Sequence, residues 1–204
     1  MIELKNITTG YKKNIPLKSD FSYVFENNKV YGILGESGCG KSTMLKTIAG
    51  LIKPLSGEVL VNEKPVEKAC KNNIYMMHQN YTSFNWLNCI DNILITEKVK
   101  GKVTKEMREN AIRWLEKVGL KEHINKYPTQ LSGGMRQRLA LARTLYMKPD
   151  IILMDEPLSA LDEKTRAEMQ DLILNIHKET KNIIIMITHS EEEANKMCDY
   201  ILKF

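Results

Sequence analysis

The spacing of apolar residues divides the chain into short runs of two kinds. Near the start, Ile2, Leu4 and Ile7 alternate with Glu3, Lys5 and Asn6, which predicts a half-buried strand over residues 1–9. Residues 17–25 alternate as well, and Glu26, Asn27 and Asn28 follow as a turn. The opening therefore reads as antiparallel. Further on, Val30, Tyr31, Ile33 and Leu34 form a compact apolar run, as do residues 73–78, 151–154 and 183–188, with further strands at 57–61 and 199–204. Four consecutive apolar residues at 151–154 suit a parallel sheet buried on both faces.

Between these runs the period changes to that of a helix. Met44, Leu45, Ile48, Ala49 and Leu51 recur at helical spacing, as do Met107, Ala111, Trp114, Leu115 and Val118 ahead of Gly119. Met169, Leu172, Ile173 and Ile176 mark a helix over 163–180, and Ser190 to Glu193 forms a capping box for a last one. Residues from about 85 to 147 hold no strand signal and predict a small helical subdomain. The expected class is α/β. Residues 1–84 and 148–204 form a core with a mostly parallel central sheet and an N-terminal antiparallel part.

Candidate chemistry concentrates at residues 35–43, GESGCGKST, which fit G-x-x-x-x-G-K-[ST] between a strand and a helix. Gly35, Gly38 and Gly40 free the backbone so that the N–H groups of Gly35, Glu36, Ser37, Gly38, Cys39, Gly40 and Lys41 can turn toward an anion. The helix beginning near Lys41 adds its positive end. Lys41 can reach β- and γ-phosphates, and the Ser42 hydroxyl, next to Thr43, can ligate Mg²⁺. An ordinary glycine turn beside a lysine would need neither the strand nor the helix.

Four further places carry chemistry. Ser132, Gly133 and Gly134 precede a run of helix formers, so they are either a plain helix cap or a second anion site. Asp155 and Glu156 stand at a strand end, where an aspartate can hold Mg²⁺ through water and a neighbouring acid can activate a water; the other reading is a pair of solvated acids. His189 follows the most hydrophobic strand, at the edge where ligands bind in open α/β sheets, although a lone histidine is more often a cap. Tyr11 is a base-stacking residue or a surface turn aromatic, and Gln79 is a weak Mg²⁺ ligand or a loop glutamine. Tyr81, Phe84 and Trp86 form an aromatic loop that is a core lid or a docking surface for an apolar partner.

Composition narrows the setting. With 43% hydrophobic and 27% charged residues, the 204-residue chain is ordinary for a globular domain, and no apolar run reaches membrane-span length. A net charge of +5 without a basic block does not imply nucleic acid. Cys39, Cys70, Cys89 and Cys198 lack metal-type spacing, which makes a reduced cytosolic setting the default.

Taken together the motifs resemble the nucleotide-binding subunit of ATP-binding cassette (ABC) transporters over almost the whole chain. Tyr11, GESGCGKST, Gln79, LSGGM at 131–135, IILMDE at 151–156, SALD at 159–162 and His189 follow the family's order. LSGGM discriminates against small-molecule kinases and GTPases.

The resemblance implies a phosphate-loop NTPase core binding ATP and Mg²⁺, with two copies packed head to tail as a homodimer. Ser132, Gly133 and Gly134 of one copy would meet the γ-phosphate held by the other. Glu156 would be general base and His189 would hold the γ-phosphate and water. Ser42, Gln79 and Asp155 would be metal ligands. Integral-membrane permease subunits and a substrate-binding protein are the implied partners, with the chain peripheral at the cytoplasmic membrane face.

Likeness to nitrate, sulfonate and taurine importers implies solute import. An exporter or lipoprotein-release ATPase, and a soluble non-transport ABC ATPase, are the alternatives. The chain stops soon after its last strand, so no regulatory extension is expected, and His78 and Asn80 flank Gln79 where other residues are usual.

Overall fold

The computed structural model describes residues 1–10, 17–66, 72–78 and 83–204. Tyr11 and Gln79, with Cys70 and Tyr81, lie outside the described residues. The chain divides into two compact units. The first comprises Met1–Met76, Pro149–Pro157 and Leu174–Phe204, and the second Met77–Lys148 and Leu158–Ile173.

The first unit is built on two sheets. β1 (Ile2–Thr9) pairs antiparallel with β2 (Lys18–Phe25), as their alternating patterns require. Between these two strands and the second sheet, Phe25 meets Tyr31 edge to face at 4.9 Å. β3 (Val30–Leu34) is buried along its length and runs into α1 (Lys41–Ile48). β4 (Ser56–Val61) pairs antiparallel with β1, and the two-residue β5 (Lys64–Pro65) with β4. This gives the antiparallel order β2-β1-β4-β5.

Next in the chain comes β6 (Ile74–Met77), and then the helices of the second unit: α2 (Cys89–Ile93), α3 (Ile95–Val99), α4 (Lys105–Lys117) and α5 (Gly133–Tyr146). The chain returns as β7 (Ile151–Asp155), α6 (Glu163–Thr180), β8 (Ile183–Ile187), α7 (Glu191–Met197) and β9 (Tyr200–Lys203). The second sheet has the order β6-β7-β8-β3-β9, with β7, β8, β3 and β9 parallel. Every residue of β3, β7 and β8 is buried. That is why these strands read as unbroken apolar runs. The fold is α/β with an antiparallel N-terminal sheet and a parallel central sheet.

One helix prediction is corrected. The helical spacing extends the helix after the glycine loop to Leu51, but that helix ends at Ile48 and Leu51 is 51% exposed. Gly50 turns left-handed at φ 71° and takes the chain out of the helix.

In the second unit, α4 and α2 pack on α5, with Ala111 and Leu115 buried and Gly119 left-handed just past the α4 end. Asn92 is fully buried and ties the aromatic loop together. Its Oδ1 accepts from the Phe84 N–H at 2.8 Å, and its Nδ2 donates to the carbonyls of Phe84, Leu87 and Asn88. No helix among the described residues is long and apolar enough to cross a membrane.

Candidate active site

The loop between β3 and α1 is shaped by its glycines. Gly40 has φ 98°, and a Cβ on it would fall 2.8 Å from that of Leu17, so both its conformation and its surroundings exclude a side chain. Gly40 is the N-cap of α1 and brings no side-chain hydrogen bond to it. The first N–H groups of this helix therefore have no capping side chain, which is the electrostatic requirement for an anion there.

Lys41 is 5% exposed, and its ammonium donates to the carbonyls of Gly35 at 2.8 Å and Glu36 at 2.7 Å. These bonds hold the charge over the loop. One residue on, the Ser42 hydroxyl donates to Asp155 Oδ1 at 2.9 Å, joining the start of α1 to the end of β7 across 113 residues of sequence. A hydroxyl and a carboxylate at this distance offer hard oxygen atoms, the donor type Mg²⁺ takes.

Glu156 follows directly and has φ 49°. For a residue that is not glycine this left-handed conformation costs about 1–3 kcal/mol, a strain typical of functional turns. Pro157 disfavours the right-handed alternative for the residue before it. The turn brings Glu156 Oε1 to 2.7 Å from Nε2 of His189, just past β8. Leu17, Ser37, Lys41, Ser42, Glu156 and His189 line one cleft of about 270 Å³. His189 also borders a second hollow of about 300 Å³, with Glu36, Glu191 and Phe204.

Five residues picked from the sequence thus come together: Lys41, Ser42, Asp155, Glu156 and His189. Ser132, Gly133 and Gly134 belong to the second unit. There Ser132 caps α5, its Oγ accepting from the Met135 N–H at 3.3 Å. Leu17 was missed, because no motif points to an apolar residue so far upstream. Arg143 was also missed. Its guanidinium lies 5.4 Å from the Phe84 ring centre, and burial lowers its pKa.

Two cysteines are chemically muted. Burial pushes the Cys89 thiol up to about 11 and that of Cys198 up to about 12.

Comparison with known proteins gives a consistent result. The profile of the ABC transporter family matches residues 19–159. YtlC of Bacillus subtilis, an uncharacterized ABC transporter ATP-binding protein, is 40% identical over 206 residues, covering 100% of this chain and 79% of its own length. A spermidine/putrescine import ATP-binding protein, PotA of Mycoplasma mycoides, is 39% identical over 99% of this chain, which spans 58% of that relative. A taurine import ATP-binding protein, TauB of Pelagibacter ubique, is 42% identical over 86% of this chain and 66% of its own length. Among solved structures, the dimeric post-hydrolysis state of the ATP-binding cassette MJ0796, bound to ADP and Pi, superposes with a TM-score of 0.85 at 30% identity, over 100% of this chain and 94% of that one.

Proposed function

This chain belongs to the ABC transporter family of ATP-binding proteins, and from that membership we propose that it hydrolyses ATP to drive separate membrane subunits in solute import. The observation that carries the reading is convergence: Lys41, Ser42, Glu156 and His189 line one cleft, with Asp155 bonded to Ser42. The taurine and spermidine/putrescine import proteins among its relatives support import over export.

In this reading the loop N–H groups and Lys41 bind the β- and γ-phosphates, and Tyr11 stacks on the base. Ser42 and Asp155 would hold Mg²⁺ with help from Gln79, and the ion would supply charge neutralisation at the phosphoryl oxygens. Glu156 accepts the proton of the attacking water, and His189 orients that carboxylate and the γ-phosphate. Ser132, Gly133 and Gly134 of a second copy close the site from the other side. Neither copy then holds a complete site, so turnover requires the pair. The dimeric MJ0796 relative supports this. The aromatic loop held by Asn92 carries closure to permease subunits at the cytoplasmic membrane face, with a substrate-binding protein delivering the solute.

The test is a trapped complex. Glu156→Gln removes the base but keeps the nucleotide contacts, so with ATP and Mg²⁺ it should elute from gel filtration as a dimer and without them as a monomer. A monomer at saturating nucleotide would overturn the reading.

A further inference from the structure

The two glycines of the LSGGM turn sit in different surroundings. A Cβ on Gly133 would meet nothing within 4 Å, whereas one on Gly134 would lie 2.5 Å from Cγ2 of Thr165. Carbon atoms in contact rest about 3.5–4.0 Å apart. Gly134 is therefore the point at which the first turn of α5 meets the first turn of α6, closer than any side chain allows. Leu161 Cδ2 lies 3.9 Å from the same position.

Thr165 is a firm stop. Its β-branched side chain has few rotamers, and its N–H is held by Asp162 Oδ1 at 3.0 Å. The segment before it is braced too, since Arg166 donates to the Leu161 carbonyl at 2.7 Å. One turn further along both helices, Arg138 meets Glu168 at 2.8 Å and donates to the Val118 carbonyl at 3.3 Å. Gly134–Thr165 and Arg138–Glu168 thus form two successive rungs between α5 and α6, all inside the second unit.

We propose that Thr165 is a positioning residue for the LSGGM turn: its Cγ2 sets where Gly134 sits, and hence where the N–H groups of Gly133 and Gly134 point. Thr165 accounts for the absence of a side chain at residue 134, whereas residue 133 faces open space. The same close approach sets Leu161 of the SALD segment 3.9 Å from that position. This deepens the proposed function and rests on its assignment of residues 132–134 to a nucleotide.

Four full-length variants test it, by ATP turnover and by thermal unfolding. Gly134→Ala should lower kcat by about 10–100-fold, the scale expected for a misplacement near 1 Å, with a smaller change in KM, and should lower the thermal midpoint. Thr165→Ser added to it removes the clashing methyl and should recover most of both losses. Thr165→Val added instead keeps a methyl there and should recover neither. Should Gly134→Ala be insoluble, a soluble double variant with serine supports the proposal and an insoluble one overturns it. A serine double variant no faster than Gly134→Ala also overturns it, even if its midpoint recovers. Ser132→Ala, run alongside, separates the two levels. Turnover unaffected by it sinks the shared-site reading, whereas turnover abolished by it without rescue at 134 sinks only the role of Thr165.

Discussion

Nε2 of His189 lies 2.7 Å from Oε1 of Glu156, although 33 residues separate them. Two parallel strands create the contact, because Met154 and Asp155 of β7 are in register with Met186 and Ile187 of β8. The chain leaves both strands at the same edge. A carboxylate held by an imidazole cannot swing freely, so its orientation is fixed. Glu156→Gln and His189→Ala should each keep ATP binding while lowering turnover by about 10²–10⁴-fold, the range for a positioned general base. Nucleotide affinity and steady-state hydrolysis measured on the same samples check this. A loss of affinity large enough to explain the loss of rate would contradict the assignment.

Trp86 is 73% exposed and its ring sits 5.3 Å from that of Phe84. A large aromatic side chain left in water this way is the usual anchor of an interface. Under the proposed function, Trp86→Ala should leave the ATPase of the isolated subunit unchanged but weaken capture by the proposed permease subunits by about 30-fold or more, the effect of losing ~2 kcal/mol. Co-purification from membranes would show it, and undiminished capture would remove Trp86 from the interface.

Asn92 makes four hydrogen bonds from a fully buried position, three of them to backbone carbonyls. Truncating it removes all four bonds, although the carbonyls of Phe84 and Asn88 keep backbone partners in the Leu87 and Asn92 N–H groups, so Asn92→Ala should destabilise the chain by about 1–3 kcal/mol. Urea unfolding gives the value. Hydrogen exchange should show the loss of protection concentrated at residues 83–94.

Much of this is legible in the linear pattern, and each miss has its own physical reason. Strands such as β7 and β8 announce themselves because burial on both faces leaves no room for polar residues. The glycine loop is legible because its chemistry is local. The short helices α2 and α3 were not anticipated: each has five residues, too few for a helical period to show, and α2 is signalled only by its Asn88 cap. The contact Gly134–Thr165 joins residues 31 positions apart, and no spacing rule reaches across such a distance. The left-handed turn at Glu156 was likewise hidden, since the following proline excludes a helix there without choosing the alternative.

The thiols of Cys89 and Cys198 give a pH signature. Both titrate higher in the folded chain, at about 11 and about 12, than a free thiol near 8.5. Between those values the unfolded chain has lost protons that the folded chain keeps, so the stabilisation is complete below about 8.5 and is lost as pH rises toward the folded values. Tyr23 and Tyr31 act in the same direction, both raised first by burial. Urea midpoints should fall steadily above about pH 9, less steeply in Cys198→Ala. A midpoint flat to pH 11 would contradict the burial of these groups.

The central claim is that one nucleotide is held by two copies. It is tested most directly by mixing two inactive variants, Lys41→Ala and Ser132→Ala. A mixed dimer carries one site with both defects and one site with neither. The account predicts that each variant alone is inactive in ATP hydrolysis and that activity reappears on mixing. A mixture as inactive as its parts, under conditions where the wild-type chain turns over ATP, would contradict it.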